Sequence, residues 1–233
     1  MPPAPQNESL VLSFLTVRRA LGVLGLALPI LLAVYGLTVN GRIEDSVSAF
    51  YYTDLGDVFV GILCAIGVFL FSYKGYAPEP GEKITDRRVS QVAGVAAIVT
   101  ALFPTTGVDL PTCEPACLVT GLPASALHFA GAGVFFVAIA VFCLVLFTRT
   151  GGQPIDAEKR RSNRIYRLCG WIILAMIALL AAIFLGVEEG SALAERLDAL
   201  NAVFWLEAVA ILAFGVAWLA KGKTLQALLG NHP

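Results

Sequence analysis

Six apolar runs, separated by short polar segments, form the pattern of hydrophobic and polar positions along the chain. Each run is close to the roughly 20 residues that a helix needs to cross the hydrocarbon core of a bilayer. The runs are continuous, whereas the strands of a membrane barrel alternate in polarity. We therefore predict an all-α integral membrane bundle of six transmembrane helices, with spans at about 20–39, 57–73, 89–106, 124–147, 168–187 and 201–220.

The first run is predicted to be a retained span. A cleaved signal peptide would have a shorter apolar region and would end at a small-residue site, whereas this run ends in Thr38-Val39-Asn40-Gly41. A kink is expected at Pro29. Residues 1–17, whose prolines disfavour a helical start, are predicted to be a cytoplasmic leader. The six-helix domain covers 18–221, and a cytoplasmic tail covers 222–233.

The distribution of charge predicts the orientation of the spans. With both termini, the 74–88 loop and the 149–167 loop in the cytoplasm, that side holds 14 of the 16 lysines and arginines. This bias follows the positive-inside rule. The acidic residues show the opposite bias and lie mainly in the loops predicted to face outward.

Composition narrows the class of protein further. Hydrophobic residues make up 58% of the chain and charged residues only 14%, against about 25% charged in soluble domains. The basic residues are confined to short loops, so no nucleic-acid partner is expected. No internal repeat is evident, which disfavours an inverted-repeat transporter. Membrane lipids are the expected partners, and a homo-oligomer or a membrane partner protein remains open.

Candidate chemistry is concentrated in the polar stretch 45–57 and in three ionisable residues near the predicted outer ends of spans. Ionisable groups inside a membrane are costly and mark function by default. Asp57, His128 and Glu207 all fall within roughly 10 Å of the same predicted boundary. The candidate ligand-binding residues are Ser46, Ser48, Tyr51, Tyr52, Asp54, Asp57, Thr105, His128 and Glu207.

Other interpretations of these residues stay open. Asp57 could only cap its helix, and His128 and Glu207 could be a buried structural pair. Ser48, His128 and Asp57 could be a catalytic triad, although no G-x-S-x-G elbow is present. A zinc site of His128, Asp57 and Glu207 has a permissible ligand set, but one histidine is thin support for zinc. We therefore predict no metal site, and no cofactor can be named.

Two loops carry further candidates. Cys113 and Cys117 lie in a loop predicted to face outward, where an oxidising exterior favours a disulfide; a free pair or a weak metal site is the alternative. The basic run 158–164 could bind anionic lipid headgroups, or it could serve only as a topology determinant.

Several of these features resemble a known family. The outer segment Ser46-Val-Ser48-Ala-Phe-Tyr-Tyr, the third span ending in Phe103-Pro104-Thr105 and the fourth beginning Leu127-His128-Phe129-Ala130 resemble bacterial membrane proteins of domain-of-unknown-function family 998. The resemblance implies a six-span protein of the bacterial inner membrane with a polar outer cluster around Ser48, Phe103, Pro104 and His128. It implies no activity. Multi-histidine hydrolases related to ceramidases are a poor match, because the additional histidines and a seventh span are missing.

The predicted function is binding of a lipid headgroup or a small polar molecule in a polar pocket near the outer face. A membrane hydrolase is the first alternative, and it would require Ser48 or a metal within reach of His128. A carrier would require polar groups continuing to mid-membrane, and the inner halves of the spans offer almost none. A structural partner protein is the third alternative.

Overall fold

The computed structural model describes residues 5–76, 78, 81–105, 122–150 and 154–223, with side-chain surroundings from residue 15 onward. All regular structure within these ranges is helical, so the all-α prediction is confirmed. The elements are α1 (Pro5–Tyr35) with a π-helical turn (Gly36–Asn40), a 3-10 helix (Ser48–Tyr52), α2 (Gly56–Ser72), α3 (Asp86–Leu102), α4 (Ala124–Val141) with a π-helical turn (Phe142–Leu146), α5 (Ala157–Gly186), α6 (Ala192–Ala199) and α7 (Ala202–Lys221).

Four helical segments in the described part of the chain are long and apolar enough to cross a membrane: Leu15–Asn40, Ala124–Leu146, Ala157–Gly186 and Ala202–Lys221. Helix α2 is apolar but shorter. Helix α5 exposes Leu168, Trp171 and Leu185, each by more than 60% of its surface. An apolar surface of this kind suits contact with lipid better than contact with water. The helices therefore indicate a membrane-embedded protein.

The six long helices form a closed ring. Each packs against the one before it in the chain, with α5 followed by α7, and α7 packs back against α1. The α1–α7 contact is close because glycines lie in it. A Cβ added to Gly215 would come within 2.9 Å of the Leu26 backbone nitrogen. Small residues at such contacts are typical of helices that associate in a membrane.

The interior of the ring contains two buried clusters, one towards each end. One surrounds Trp218, whose ring lies 5.1 Å from the rings of Tyr73 and Phe147. We call this the Trp218 end. The other includes Phe50 and Phe204, whose ring centroids are 5.9 Å apart, and we call it the Ser48 end. Because neighbouring helices run antiparallel, the amino ends of α2, α4 and α7 all lie at the Ser48 end.

Two helices extend beyond the predicted spans. Helix α1 is already helical at Pro5, the first described residue, whereas the prediction placed residues up to 17 in a leader. It continues through Pro29. Helix α5 begins at Ala157 because the Asp156 carboxylate caps it, accepting a hydrogen bond of 2.6 Å from Lys159 N. The basic run 158–164 is therefore helical.

The acidic segment before α7, read from the sequence as a loop, contains the short helix α6. Its first turn is capped by Ser191, whose hydroxyl accepts a hydrogen bond from Ala194 N at 3.2 Å.

Cys113 and Cys117, with their predicted disulfide, lie outside the described residues.

Candidate functional site: a buried serine–histidine pair beside a cavity

The segment between α1 and α2 folds over the Ser48 end of the ring. Gly41, in the left-handed region at φ 72°, ends the π-helical turn that follows α1. The Ser46 hydroxyl then accepts a hydrogen bond of 3.0 Å from Ala49 N, as a helix cap does. This cap starts the 3-10 helix and turns Ser48 into the interior, where it is only 8% exposed.

His128 joins this segment to α3. Its Nε2 lies 2.8 Å from Ser48 Oγ, and its Nδ1 lies 2.8 Å from the carbonyl oxygen of Phe103. A carbonyl can only accept, so Nδ1 must carry the proton. In a neutral imidazole Nε2 is then the acceptor, and the Ser48 hydroxyl must donate to it. The ring is 2% exposed, and its nitrogens contact no carboxylate among the residues that the structure describes, which favours the neutral form.

Glu207 joins the same segment to α7. Its Oε2 accepts a hydrogen bond of 2.7 Å from Val47 N, and the carboxylate also bonds the backbone N–H of Ser48. One turn earlier, Phe204 N donates to the Asp45 carbonyl oxygen at 3.1 Å. Two successive N–H groups that begin the 3-10 helix thus bond a carboxylate from a distant helix, and such charge-assisted bonds are stronger than neutral ones.

A cavity of about 50 Å³ lies beneath Ser48, between the ring helices. A site of this size holds a few water molecules or one molecule of similar size. Apart from Ser48, its polar side chains are Thr100 and Glu207. The other lining residues are Leu28, Val47, Phe59, Leu63, Ala97, Ala132, Phe135, Phe136 and Ile211.

The hydrogen bonds that the lining side chains make to other protein groups determine whether they can donate or accept in this cavity. Ser48 gives its only proton to His128, and Thr100 gives its proton to the Ala96 carbonyl oxygen at 2.9 Å. Both hydroxyl oxygens keep acceptor capacity. The Glu207 carboxylate has about four lone-pair sites and uses two on backbone N–H groups. All three polar side chains that line the cavity can therefore accept hydrogen bonds from an occupant.

The remaining candidates lie nearer the surface. The Tyr52 hydroxyl donates to the Thr105 carbonyl oxygen, which ties the 3-10 helix to the end of α3. The Tyr35 hydroxyl donates to Asp54 Oδ2 at 3.3 Å in an exposed position. The Tyr51 ring makes an edge-on contact with the Tyr52 ring, with centroids 5.1 Å apart. These residues fasten the segment that covers the site, and they do not line the cavity.

Asp57 is not brought to His128. It is exposed in the first turn of α2, and both His128 nitrogens bond other groups. The shared depth of Asp57, His128 and Glu207 along their helices therefore does not bring the three side chains together. In the part of the chain that the structure describes, no group of three or more His, Cys, Asp or Glu side chains could hold a metal ion.

Sequence reasoning missed Thr100 as a lining residue. A signal was present, because Thr100 is the one hydroxyl residue between Gln91 and Phe103 in an apolar helix. The Val47 N–H and the Phe103 carbonyl could not be found in this way. Backbone groups carry no residue-specific signal, and their direction depends on the turn that contains them.

These features define a helical membrane protein with a buried serine–histidine pair covered by the segment between its first two long helices. The family described as "Protein of unknown function (DUF998)" matches residues 44–212, which include Ser48, Phe103, His128 and Glu207. The chain belongs to this family. It matches no curated protein sequence and no solved structure.

Proposed function

We propose that this protein spans the bacterial inner membrane six times, with both termini in the cytoplasm, and binds a small hydrogen-bond donor in the cavity at its outward-facing Ser48 end. The bias of lysines and arginines towards the other end supports this orientation. Helices α2 and α3, with 17 residues each, are slightly shorter than a standard span. A bilayer can thin locally to match such helices.

The observation that carries the proposal is that Ser48, Thr100 and Glu207 all offer acceptors to one cavity. An occupant with N–H or O–H groups satisfies them, whereas an acceptor-only molecule does not. The cavity volume of about 50 Å³ excludes a whole lipid headgroup and favours a small amine or hydroxyl compound. An intramembrane carboxylate such as Glu207 marks a functional site by default.

A matched pair of probes tests this proposal. Purified protein in detergent is titrated with methylammonium, a donor, and with acetonitrile, which has similar size and no donor. We expect only methylammonium to raise the melting temperature, since a ligand that binds the native state stabilises it. Ala132→Leu, which fills the cavity, should abolish the shift. Ala130→Leu, on the exposed side of the same helix, should keep it. Equal shifts with both probes, or none with either, count against a donor site.

A second candidate function is acyl transfer with Ser48 as nucleophile. It is favoured by the Ser48–His128 distance of 2.8 Å and by the Phe103 carbonyl that orients the ring, which together match a nucleophile, its base and an orienting group. It is disfavoured by Glu207. The carboxylate already holds the N–H groups of Val47 and Ser48, which would otherwise be the natural donors to an oxyanion.

A fluorophosphonate probe separates the two functions. An activated serine should be labelled, with the modified peptide containing Ser48, and Ser48→Ala should lose the label. Ser46→Ala is the matched control, because its hydroxyl only caps the 3-10 helix. Absence of label on folded wild-type protein would remove the acyl-transfer candidate and leave ligand binding unaffected.

A further inference from the structure

A second cavity lies on the outside of the ring, at the Trp218 end of the α3–α4 contact. A groove of about 430 Å³ runs there between the two helices. Its wall is almost entirely apolar along the helices and becomes basic at one end. The lining residues are Lys83, Ile84, Arg88, Val89, Val92, Gly133, Val134, Val137, Ala138 and Val141.

Gly133 forms the open part of the groove. A Cβ added there meets no atom within 4 Å, although most helical glycines in this ring lie against a neighbour. From Gly133 to Val141 the helix rises roughly 12 Å. The exposed faces of Val92, Val134 and Val137 border this length. Over about two helical turns, the groove is therefore apolar enough to accommodate a lipid acyl chain.

A polar cavity of about 580 Å³ adjoins the basic end of the groove. It is lined by Lys74, Arg87 and Arg88, and Arg88 borders both cavities. The Arg88 guanidinium is held there because Nη1 donates to the Lys83 carbonyl oxygen at 3.1 Å. The first turn of α3, with its partial positive charge, contributes to the same cavity through Thr85.

Among the described residues that line this cavity, acidic groups do not cancel the positive charge. Glu82 lines the polar cavity, but it forms an ion pair with Arg149. Lys83, Arg87 and Arg88 are exposed and take part in no ion pair among the described residues. The described lining of the polar cavity therefore has an excess of positive charge, and it adjoins an apolar groove through Arg88.

We propose that these two adjoining cavities bind one anionic glycerophospholipid, with its phosphate at Arg87 and Arg88 and an acyl chain along Gly133. Basic pockets between transmembrane helices are a recurring mode of binding anionic headgroups. Charge complementarity at one end and an apolar wall along the rest match an amphipathic anion. This site depends only on embedding in a membrane and is independent of the cavity beneath Ser48.

The test measures binding of phosphatidylglycerol and of phosphatidylcholine to delipidated full-length protein by native mass spectrometry. We expect phosphatidylglycerol to be preferred. The double variant Arg87→Gln/Arg88→Gln should weaken its binding by about fivefold for each arginine removed, because a Lys or Arg near an anionic lipid surface contributes about 1 kcal/mol. The variant changes only exposed side chains, so the fold should be retained.

A matched glycine pair tests the groove. Gly133→Leu should block the chain and reduce phosphatidylglycerol binding at least tenfold. Gly61→Leu, on the exposed face of α2, where an added Cβ also meets no atom within 4 Å, should leave binding unchanged. Equal binding of the two lipids, or equal loss with both leucine variants, would overturn the proposal. So would full competition by inorganic phosphate with no effect of Gly133→Leu, since this result indicates an anion site without a chain site.

Discussion

Gly67 of α2 and Gly94 of α3 face each other across the contact between the two helices. A Cβ added to Gly67 would lie 2.8 Å from the Gly94 carbonyl oxygen, and one added to Gly94 would lie 2.6 Å from the Gly67 carbonyl oxygen. Each backbone therefore occupies the space that a side chain on the other would need. Close approach of this kind is how small residues hold membrane helices together.

Gly94→Ala should therefore lower the free energy of unfolding by about 1–3 kcal/mol, the usual cost of overpacking. Thermal unfolding in detergent measures this change. Gly61→Ala is the control, because its Cβ has open space and alanine favours a helix by about 1 kcal/mol over glycine. If Gly94→Ala is as stable as Gly61→Ala, the α2–α3 contact is looser than described.

The Ser48–His128 hydrogen bond should be measurable as a coupling energy in a double-mutant cycle. Ser48→Ala and His128→Ala each leave a buried polar partner unsatisfied, at about 1–3 kcal/mol for each group. The double variant leaves only the Phe103 carbonyl unpaired at this bond. It should therefore be more stable than the sum of the single variants predicts, by about 0.5–3 kcal/mol. Additive effects in the same unfolding assay would argue against the bond.

The imidazole tautomer provides a separate measurement. Because Nδ1 donates to the Phe103 carbonyl, the nitrogen NMR shifts of His128 should report a protonated Nδ1 and a bare Nε2. In Ser48→Ala the Nδ1 signal should stay in place, while the Nε2 signal should move as its donor disappears. A protonated Nε2 in the wild-type protein would reverse the direction of the serine bond.

Glu207 is expected to stabilise the covering segment both as a hydrogen-bond acceptor and through its charge, and two variants separate these contributions. Glu207→Gln keeps an acceptor for the Val47 N–H and should cost less than about 1.5 kcal/mol. Glu207→Ala leaves the N–H groups of Val47 and Ser48 without this partner and should cost about 2–4 kcal/mol. Hydrogen exchange of residues 46–50 localises the effect. Equal exchange in both variants would contradict this role.

Asp86 should give the stability a dependence on pH. It precedes the predicted third span and is 5% exposed. Burial raises the pKa of its carboxyl above the ordinary 3.8, although the Tyr76 N–H and the Lys221 charge act against this shift. The folded chain therefore holds this proton more tightly than the unfolded chain. The resulting stabilisation is complete below the ordinary pKa and is lost as pH rises through the raised pKa.

Asp86→Asn removes this titration and can still accept from Tyr76 N, as Asp86 Oδ2 does at 3.2 Å. Relative to wild type, the variant should become more stable as pH rises from the ordinary pKa of the carboxyl through its raised pKa, and the difference should then level off. Melting temperatures of both proteins across this range provide the measurement. A difference that is constant with pH would show that Asp86 has the same pKa in both states.

The sequence was sufficient to predict the six long helices, because each contains a long apolar run bounded by polar segments. It could not predict where α1 and α5 begin. Residues 5–17 of α1 are helical without forming part of the predicted apolar run, and α5 begins at the side-chain cap from Asp156. The distribution of apolar residues indicates neither feature. The acidic helix α6 was also missed, because it buries no residue and therefore shows no apolar pattern in the sequence.

Residue positions along the helices predicted the candidate site only as a depth, whereas the family resemblance also named Ser48, Phe103 and His128 as one cluster. Counting residues along each helix places His128 and Glu207 near the same end, and both do reach the segment containing Ser48. Depth says nothing about rotation around the helix axis, and for this reason Asp57, at a similar depth, faces away. The orienting partners are backbone groups of Val47 and Phe103, which sequence patterns do not identify.

The closed ring also has a consequence for assembly. Every contact between neighbouring helices joins successive parts of the chain except the contact between α1 and α7. Helices that enter the membrane in order can each dock on the preceding helix, but this last contact must wait for the end of synthesis. Until then, the face of α1 that contains Gly22 and Gly25 remains uncovered, and Glu207 is not yet available to the segment that covers Ser48. Closure of the ring and completion of the site are therefore one event.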